Sequence, residues 1–325
     1  MIGRRPVVVA LGTVDPELVT GVLGDAVAFV AEPGPEDLAD AEGAIVRADV
    51  VVDAALLARA PRLRVLARTG VGVDLVDVGG ASARGIAVVI TPGSGTRAVA
   101  EGVLAHVLHL VKRLAPLTRL VREGRWAERA DPDVGGAVGD LDGACIGIIG
   151  SGRIGRRVGE LAAAFGMRVL ANDPVSPPPA AIDCPDLGEL AAASDVLTLH
   201  APLTGATRHL IDAGFLARTR PGAILVNCGR GGLLDLDAAL AALESGRLGG
   251  VGLDVFDPEP PRHHPLFDHP DVVLTPHLMG LTRRATAATF AAAARGVTDV
   301  LAGRRPAALA NPDWVPAGTT TAKEA

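Results

Sequence analysis

The stretch CIGIIGSGRIGRRVGELAAAFGMRVLANDP, Cys145 to Pro174, decides the fold. A short apolar run leads into GSGRIG, which matches G-x-G-x-x-G, and an alanine- and leucine-rich segment with helical spacing follows. A second apolar run ends at Asn172 and Asp173, roughly 20 residues after the glycines. A strand, a glycine turn, a helix and a strand ending in an acidic residue together predict a dinucleotide-binding unit.

The glycine turn and the acidic residue predict how a dinucleotide is held. The cofactor-binding residues expected from the turn are Gly150, Gly152, Arg153, Ile154 and Gly155. The glycines allow close approach of the pyrophosphate, whose charge is met by the amides at the helix N-terminus. Arg153 is either a surface residue at the helix start or a pyrophosphate contact. Asp173 is expected to accept hydrogen bonds from the adenosine ribose and to repel a 2′-phosphate, which favours NAD over NADP. The alternative is that Asp173 only initiates a turn.

Composition limits the class of protein. With 325 residues, of which 49% are hydrophobic and 21% charged, the chain can bury a large core and form two domains. A net charge of -6 argues against a nucleic-acid surface. Three cysteines, an odd number without metal-ligand spacing, predict no disulfide framework and no metal site. The apolar run after Arg5 ends by Asp15, and no run approaches the roughly 20 residues that span a bilayer. A cytoplasmic protein without nucleic-acid or membrane partners is therefore expected.

Short apolar runs alternate with helical patterns along the whole chain, which predicts an α/β fold with parallel sheets covered on both faces. The runs are PVVVAL, AVAFV, GAIV, RLRVLA, IAVVI, CIGIIG, MRVLA, DVLTLH, AILVN, GVGLDV and DVVLT. One long helix is predicted from Arg97 to Gly124, kinked at Pro116, and another near residues 282–303. These helices could connect two lobes, one of them discontinuous. His106 and His109 lie on the first long helix, where helix packing or a solvated face is favoured over a metal pair.

Several stretches in a fixed order carry a resemblance to a known family. They are GIIGSGRIGRRVGELAAAFGMRVLANDP, HAPLTGATRHLI, VNCGRGGLLD, GLDVFDPEPP and TPHLMGLT, with RTGVGVDLVD and ITPGSGTRAVAE before them. From about Val7 to Pro312, the chain resembles the D-isomer-specific 2-hydroxyacid dehydrogenases. The resemblance implies two Rossmann-like lobes, a flavodoxin-like substrate lobe at 1–96 and 286–325 and an NAD-binding lobe at 97–285. It also implies a homodimer.

The resemblance assigns the chemistry to Arg230, Glu259 and His277. Oxidation of a 2-hydroxy acid needs a base for the hydroxyl proton while hydride leaves carbon 2 for the nicotinamide, and His277 matches that base. Glu259 matches the carboxylate that fixes the tautomer of the histidine. Arg230 matches the anchor of the substrate carboxylate, a task suited to a planar guanidinium. Taken alone, Arg230 is equally well interpreted as a surface residue on a tight turn, whereas its glycine neighbours favour a backbone that passes close to a ligand.

Further residues match family positions that contact the cofactor or the substrate. Those expected to line the cofactor are His200, Pro202, Thr207, Cys228, Gly229, Asp254 and Gly280. Val71 and Gly72 match a loop of the substrate lobe whose amides hold the carboxylate. The chain departs from the family pattern at Gly95 and Gly229 and in the bulk of Leu278 and Met279, which leaves the shape of the pocket open.

Two arginines suggest which acid is bound. Arg47 follows the run GAIV and Arg68 follows RLRVLA, at the carboxyl ends of first-lobe strands, where open α/β sheets bind ligands. Since Arg230 accounts for one carboxylate, two more cations predict a second anion, for which phosphate is the natural candidate. The alternative is that both are solvated surface arginines. The IVR and RTGVGVD stretches also resemble the D-3-phosphoglycerate dehydrogenases of this family.

The expected function is therefore NAD-dependent hydride transfer between the nicotinamide and a D-2-hydroxy acid, D-3-phosphoglycerate or a similar anionic acid. One alternative is a glyoxylate or hydroxypyruvate reductase. Another, of a different class, is a binding protein like the NAD-sensing corepressors of the family. A regulatory domain after Trp314 is not expected, and neither is serine feedback of the kind seen in some longer relatives.

Overall fold

The computed structural model describes residues 4–316 except 132, 133, 135, 136, 180 and 181. The chain divides into two compact units, a split unit of residues 1–95 and 283–325 and a continuous unit of residues 96–282. The sequence predicted 1–96 with 286–325 for one unit and 97–285 for the other. The predicted first junction is one residue later than the observed one, and the predicted second junction is three residues later. The second junction falls earlier than predicted because the last long helix begins at Arg283 and belongs entirely to the split unit.

The secondary structure alternates between strands and helices. The strands are β1 Val7–Leu11, β2 Ala28–Val30, β3 Ala41–Val46, β4 Val65–Arg68, β5 Ala87–Val89, β6 Cys145–Ile149, β7 Arg168–Asn172, β8 Val196–Leu199, β9 Ala223–Asn227, β10 Leu248–Leu253 and β11 Val272–Leu274. The helices are α1 Glu17–Leu23, α2 Pro35–Asp40, α3 Ala54–Arg59, α4 Val78–Ala83, α5 Thr96–Val111, α6 Leu114–Arg122, α7 Arg153–Ala164, α8 Leu187–Ala193, α9 Ala213–Leu216, α10 Leu236–Glu244 and α11 Arg283–Leu301. Each apolar run that the sequence singled out forms one of these strands.

The split unit is built on a parallel sheet with the strand order β2-β1-β3-β4-β5. This is the flavodoxin-like order. Both faces of the sheet are buried: α11 packs Phe290 and Val297 on one face, and Leu57 and Ile86 belong to the core on the other. Covering both faces removes the apolar side chains of each strand from water, which explains why the strands are continuous rather than alternating apolar runs.

The continuous unit is built on a second parallel sheet with the order β11-β10-β9-β8-β6-β7. From β6 the chain moves outward to β7 and then returns to the other side of β6 to form β8. Ligands of open α/β sheets bind at the carboxyl ends of the strands at such a reversal. Gly150 directly follows β6 and His200 directly follows β8, so the glycine turn lies at this point.

The predicted long helix of residues 97–124 is wrong in its detail. It is two helices, α5 and α6, separated at Arg113, which adopts a left-handed conformation with φ 49°. Pro116 causes no kink because it lies in the first turn of α6, where a residue needs no amide hydrogen to continue the helix.

The predicted fold class is confirmed: the described residues form two parallel α/β sheets of five and six strands. Within that part of the chain, no helix is long and apolar enough to cross a membrane.

Candidate active site

The three glycines of the turn after β6 have three different surroundings. A Cβ on Gly150, which has φ 98°, would lie 2.6 Å from the backbone of His200 and Ala201. A Cβ on Gly155 would lie 2.0 Å from the carbonyl oxygen of Gly150, so this glycine lets α7 pack closely on β6. Gly152, the N-cap of α7, has open space where its Cβ would be. This open position beside free helix amides fits a pyrophosphate that approaches the backbone.

Asp173 ties the glycine turn to the loop after β7. Its Oδ2 accepts a hydrogen bond from the Ser151 amide at 2.8 Å, and its Oδ1 accepts from the amides of Val175 and Ser176 at 2.9 and 2.8 Å. The turn-forming role that the sequence left as an alternative is therefore present. An ionised carboxylate has about four acceptor sites, so three amide contacts leave capacity for a ribose hydroxyl.

Arg230 lies in a loop whose glycines are required by neighbouring backbone. A Cβ on Gly229 would lie 2.9 Å from the carbonyl oxygen of Leu199, and one on Gly231 would lie 2.0 Å from the carbonyl carbon of Phe256. The sequence-based interpretation that the glycines make room for a ligand is unnecessary, because packing inside the unit explains both. Their effect is to hold Arg230 beside the loop that carries Glu259.

Glu259 and His277 form a hydrogen-bonded pair. Glu259 Oε2 lies 2.8 Å from His277 Nδ1, and Glu259 Oε1 accepts from the Phe256 amide at 3.0 Å. An ionised carboxylate can only accept, so the network places the proton of the neutral imidazole on Nδ1. Nε2 is left as the nitrogen that can take up a proton.

The charge state of Glu259 follows from its surroundings. Burial opposes ionisation, but the hydrogen bond to His277, the Phe256 amide and the charges of His277 and Arg230 outweigh it and lower the pKa of Glu259. A pocket of about 320 Å³ borders the Glu259–His277 pair, and its other walls include Phe256 and Leu274. The ionised carboxylate stabilises a positively charged imidazole through direct contact, although the His277 and Glu259 side chains are 49% and 39% exposed and water partly screens the pair.

Asp254 holds the loop that carries His277. Its Oδ1 accepts from Thr275 Oγ1 at 2.6 Å and from the Leu278 amide at 3.0 Å, and its Oδ2 accepts from the Met279 amide at 3.2 Å. The carboxyl group is buried. His277 itself has φ 55°, in the left-handed region. The sequence-based role of Asp254 was to line the cofactor, whereas the structure gives it three contacts inside its own unit.

Met279 packs against α5. A Cβ on Gly102 would lie 2.6 to 2.7 Å from Cβ, Cγ and Sδ of Met279, so the large side chain fits because residue 102 has none. Gly280 faces Val99 of the same helix, 3.2 Å from the position of a Cβ. The large Met279 side chain, which the sequence placed beside the predicted base, is therefore directed at α5.

The remaining predicted cofactor residues follow β8 or β9, and several of their polar atoms are already bonded. The ring of His200 contacts Thr198 Oγ1 at 2.9 Å, and burial lowers the pKa of His200 to about 4, so the ring is neutral. Thr207 donates to the carbonyl of Pro202 at 2.7 Å. Cys228 is buried. Desolvation, and to a smaller extent the charge of Asp254, raise the pKa of its thiol. Their contacts with a cofactor remain predictions.

The predicted substrate residues of the split unit lie at the carboxyl ends of adjacent strands. Arg47 follows β3, and Arg68 is the last residue of β4. The Arg47 guanidinium lies 5.7 Å from the ring centre of Phe290, and Arg68 donates to the carbonyl of Thr69. Val71 and Gly72 follow in the loop after β4, with Val71 about half exposed.

The sequence favoured helix packing or a solvated face for His106 but could not show its partner, which lies far away in the chain. His106 is buried on α5, and its Nε2 contacts Thr275 Oγ1 at 3.2 Å. The signal available in the sequence was a histidine on the apolar face of a helix, which the structure explains by packing against Gly252. Among the described residues, no cluster of three histidine, cysteine or acidic side chains is suited to a metal ion.

Comparison with protein families identifies the chain. Residues 104–279 match the model of the NAD binding domain of the D-isomer specific 2-hydroxyacid dehydrogenases. The chain belongs to this family. The match covers the glycine turn and all three predicted catalytic residues, and it confirms the prediction of an NAD-binding domain of this family.

Individual relatives agree with the family. The chain is 39% identical to the D-3-phosphoglycerate dehydrogenase of Mycobacterium tuberculosis over 308 residues, which cover 92% of this chain and 57% of the relative. The chain therefore spans little more than half the length of that family member. Its fold is similar to that of the TT0316 protein of Thermus thermophilus, with 35% identity and a TM-score of 0.85. The match covers 94% of this chain and 99% of the TT0316 chain. It is also similar to an NADPH-dependent glyoxylate/hydroxypyruvate reductase of Sinorhizobium meliloti, with 26% identity, a TM-score of 0.84 and coverage of 96% and 100%.

Proposed function

We propose that the protein is an NAD-dependent dehydrogenase of a D-2-hydroxy acid, and that the acid is D-3-phosphoglycerate or a similar anionic acid. The observation that carries the proposal is the 2.8 Å contact between His277 Nδ1 and Glu259 Oε2. Arg230 lies close enough for its charge to lower the pKa of Glu259. A base, its carboxylate partner and a cation for the substrate carboxylate are what oxidation of a 2-hydroxy acid requires.

Each group has one task in the reaction. Arg230 binds the carboxylate of the acid and orients carbon 2. His277 Nε2 removes the proton of the 2-hydroxyl, and ionised Glu259 stabilises the imidazolium that forms. When bound at the glycine turn, NAD supplies the acceptor for the hydride that leaves carbon 2. The product is the 2-oxo acid, and one proton remains on His277. In the opposite direction the imidazolium returns the proton to the carbonyl oxygen.

Two independent observations support an anionic substrate. The M. tuberculosis relative carries the name D-3-phosphoglycerate dehydrogenase. In addition, Arg47 and Arg68 lie at the carboxyl ends of neighbouring parallel strands, the edge at which open α/β sheets bind ligands. Both arginines already contact Phe290 or Thr69. A phosphate would therefore bind to guanidinium groups whose position is restrained beforehand, which reduces the entropy lost on binding.

A reductase of glyoxylate or hydroxypyruvate is the second candidate. The S. meliloti structure with that activity in its name matches almost the whole chain. The two candidates differ in substrate charge and in direction. A panel of 2-hydroxy and 2-oxo acids, with and without phosphate, followed by nicotinamide absorbance in both directions, separates them. A preference for glyoxylate over every phosphorylated acid would contradict the main proposal.

We expect Arg47→Ala and Arg68→Ala each to reduce the preference for D-3-phosphoglycerate over D-glycerate by about 10- to 100-fold in kcat/KM, because each removes a charged hydrogen-bond donor. Arg59→Ala, at the exposed C-terminal end of α3, is the matched control in the same unit. If wild type prefers D-glycerate, or if neither variant changes the ratio, the two arginines do not bind phosphate.

Asp173 makes the cofactor preference testable. We expect NAD to be used better than NADP, and Asp173→Asn to narrow that ratio by about tenfold, because the amide removes the charge that repels a 2′-phosphate. The Asn oxygen can still accept from the amides of Val175 and Ser176, which keeps the loop after β7 formed, whereas the Ser151 amide loses its acceptor. The ratio of kcat/KM for the two cofactors is the measurement. Equal use of both cofactors by wild type would refute this role for Asp173.

The proposal includes a cytoplasmic homodimer, as the family resemblance implies. Leu114, Val121 and Trp126 of the continuous unit are 48%, 57% and 59% exposed. Large apolar side chains clustered along one short segment are commonly covered by a partner surface. Light scattering measures the mass in solution, and a monomer at micromolar concentration would argue against this part of the proposal.

A further inference from the structure

His106 is a buried titratable group that has no task in the proposed reaction. It is 3% exposed, and its Nε2 lies 3.2 Å from Thr275 Oγ1. Thr275 donates its single hydroxyl hydrogen to Asp254 Oδ1 at 2.6 Å. The hydroxyl oxygen can therefore only accept from the imidazole, which places a proton on His106 Nε2.

The other ring nitrogen of His106 is buried and has no hydrogen-bond partner among the residues that the structure describes. It faces β10, where a Cβ on Gly252 would lie 3.0 Å from Nδ1. Burial lowers the pKa of His106, opposed by the charge of Asp254 and assisted by that of His109, so the ring is neutral. A buried acceptor without a partner costs about 1–3 kcal/mol. An apolar side chain would avoid that cost, so the histidine needs a compensating task.

That task follows from the bonds beyond Thr275. Asp254 Oδ1 accepts hydrogen bonds from the Thr275 hydroxyl and the Leu278 amide, and Oδ2 accepts one from the Met279 amide. These amides belong to the two residues directly after His277. Hydrogen bonds in series strengthen one another, so a donor at the start of the series affects the bonds at its end.

We propose that His106 is a positioning residue for the loop that carries His277. This inference rests on the proposed function, in which His277 is the base. His106 donates to the Thr275 oxygen, so the Thr275 hydroxyl hydrogen cannot point toward His106 and is directed toward Asp254. Asp254 then holds the Leu278 and Met279 amides in place. Through these bonds, α5 restrains the loop that carries His277.

Amide hydrogen exchange tests the inference without relying on turnover. In His106→Leu we expect the Leu278 and Met279 amides to exchange about tenfold faster than in wild type, since local opening becomes easier. His106→Gln, whose terminal amide can donate from nearly the same position, should restore most of the protection. Ala105→Leu, at an exposed position of the same helix and outside the series of bonds, is the control. Unchanged exchange at both amides in His106→Leu would overturn the inference.

Kinetics provide the second readout. We expect His106→Leu to lower kcat by about tenfold with little change in KM for NAD, because the base is displaced while the glycine turn is intact. Thr275→Val cuts the same series at its centre, so adding His106→Leu to it should change kcat no further. If His106→Leu does not fold, His106→Asn, whose shorter side chain does not reach Thr275 Oγ1, makes the same comparison with His106→Gln. Additive losses in the double variant would overturn the inference. A protein without dehydrogenase activity would refute the proposed function, while the exchange data would still decide whether His106 holds this loop.

Discussion

Replacing His277 by asparagine is expected to lower kcat by at least about 100-fold, the typical loss when a general base is removed. The amide side chain cannot take up the hydroxyl proton, and Glu259 then has no imidazolium to stabilise. Asparagine is the substitution of choice because His277 has φ 55° and asparagine adopts the left-handed region more readily than alanine. Backbone rearrangement then contributes little to the loss.

The measurement is single-turnover reduction of NAD at saturating acid, so that product release does not hide the chemical step. His269→Asn is the matched control, since this histidine lies in the same unit and its Nδ1 only accepts from the Asp271 amide. A His277→Asn variant that keeps more than about a third of wild-type kcat would remove His277 from the proposed mechanism.

Replacing Arg230 by lysine is expected to lower kcat/KM by at least about 100-fold even though the charge is kept. A carboxylate is held by two parallel bonds from a guanidinium, and an ammonium on a flexible stem provides neither the second bond nor the orientation. The loss should appear in KM as well as in kcat, because binding and alignment of the acid both depend on Arg230.

Arg230 also acts on the protein itself, and a second measurement separates the two effects. Its Nη1 donates to the Gly229 carbonyl at 2.8 Å. Thermal unfolding of Arg230→Lys shows whether the loop has been disturbed, with Arg247→Lys, which lies elsewhere in the unit and donates to the Thr219 carbonyl, as control. An Arg230→Lys enzyme with wild-type KM would show that the substrate carboxylate binds elsewhere.

The sequence predicts the fold well for a physical reason. Strands of a parallel sheet are buried on both faces, so they stand out as continuous apolar runs, and the glycine turn between β6 and α7 has few alternative uses. The order of the motifs along the chain then indicates the candidate catalytic residues. These features are local, and local patterns can be read without the structure.

What the sequence could not predict depends on residues that meet only after folding. The contact of His106 with Thr275 joins two elements 169 residues apart. Met279 could not be placed because its position depends on the absence of a side chain at Gly102. The break at Arg113 was missed because a left-handed arginine carries no compositional signal. In each case a pairwise contact, rather than a propensity, decides the conformation.

The left-handed backbone of His277 sets a limit on how this protein can be improved. A histidine in that region costs about 1–3 kcal/mol relative to a relaxed conformation. The hydrogen bonds from Leu278 and Met279 to Asp254 keep it there. Selection for heat resistance alone would replace the histidine by asparagine or glycine, residues that tolerate this conformation. In the proposed mechanism His277 thus gives up folding stability for activity, and a variant selected for heat resistance alone is expected to change first at this position.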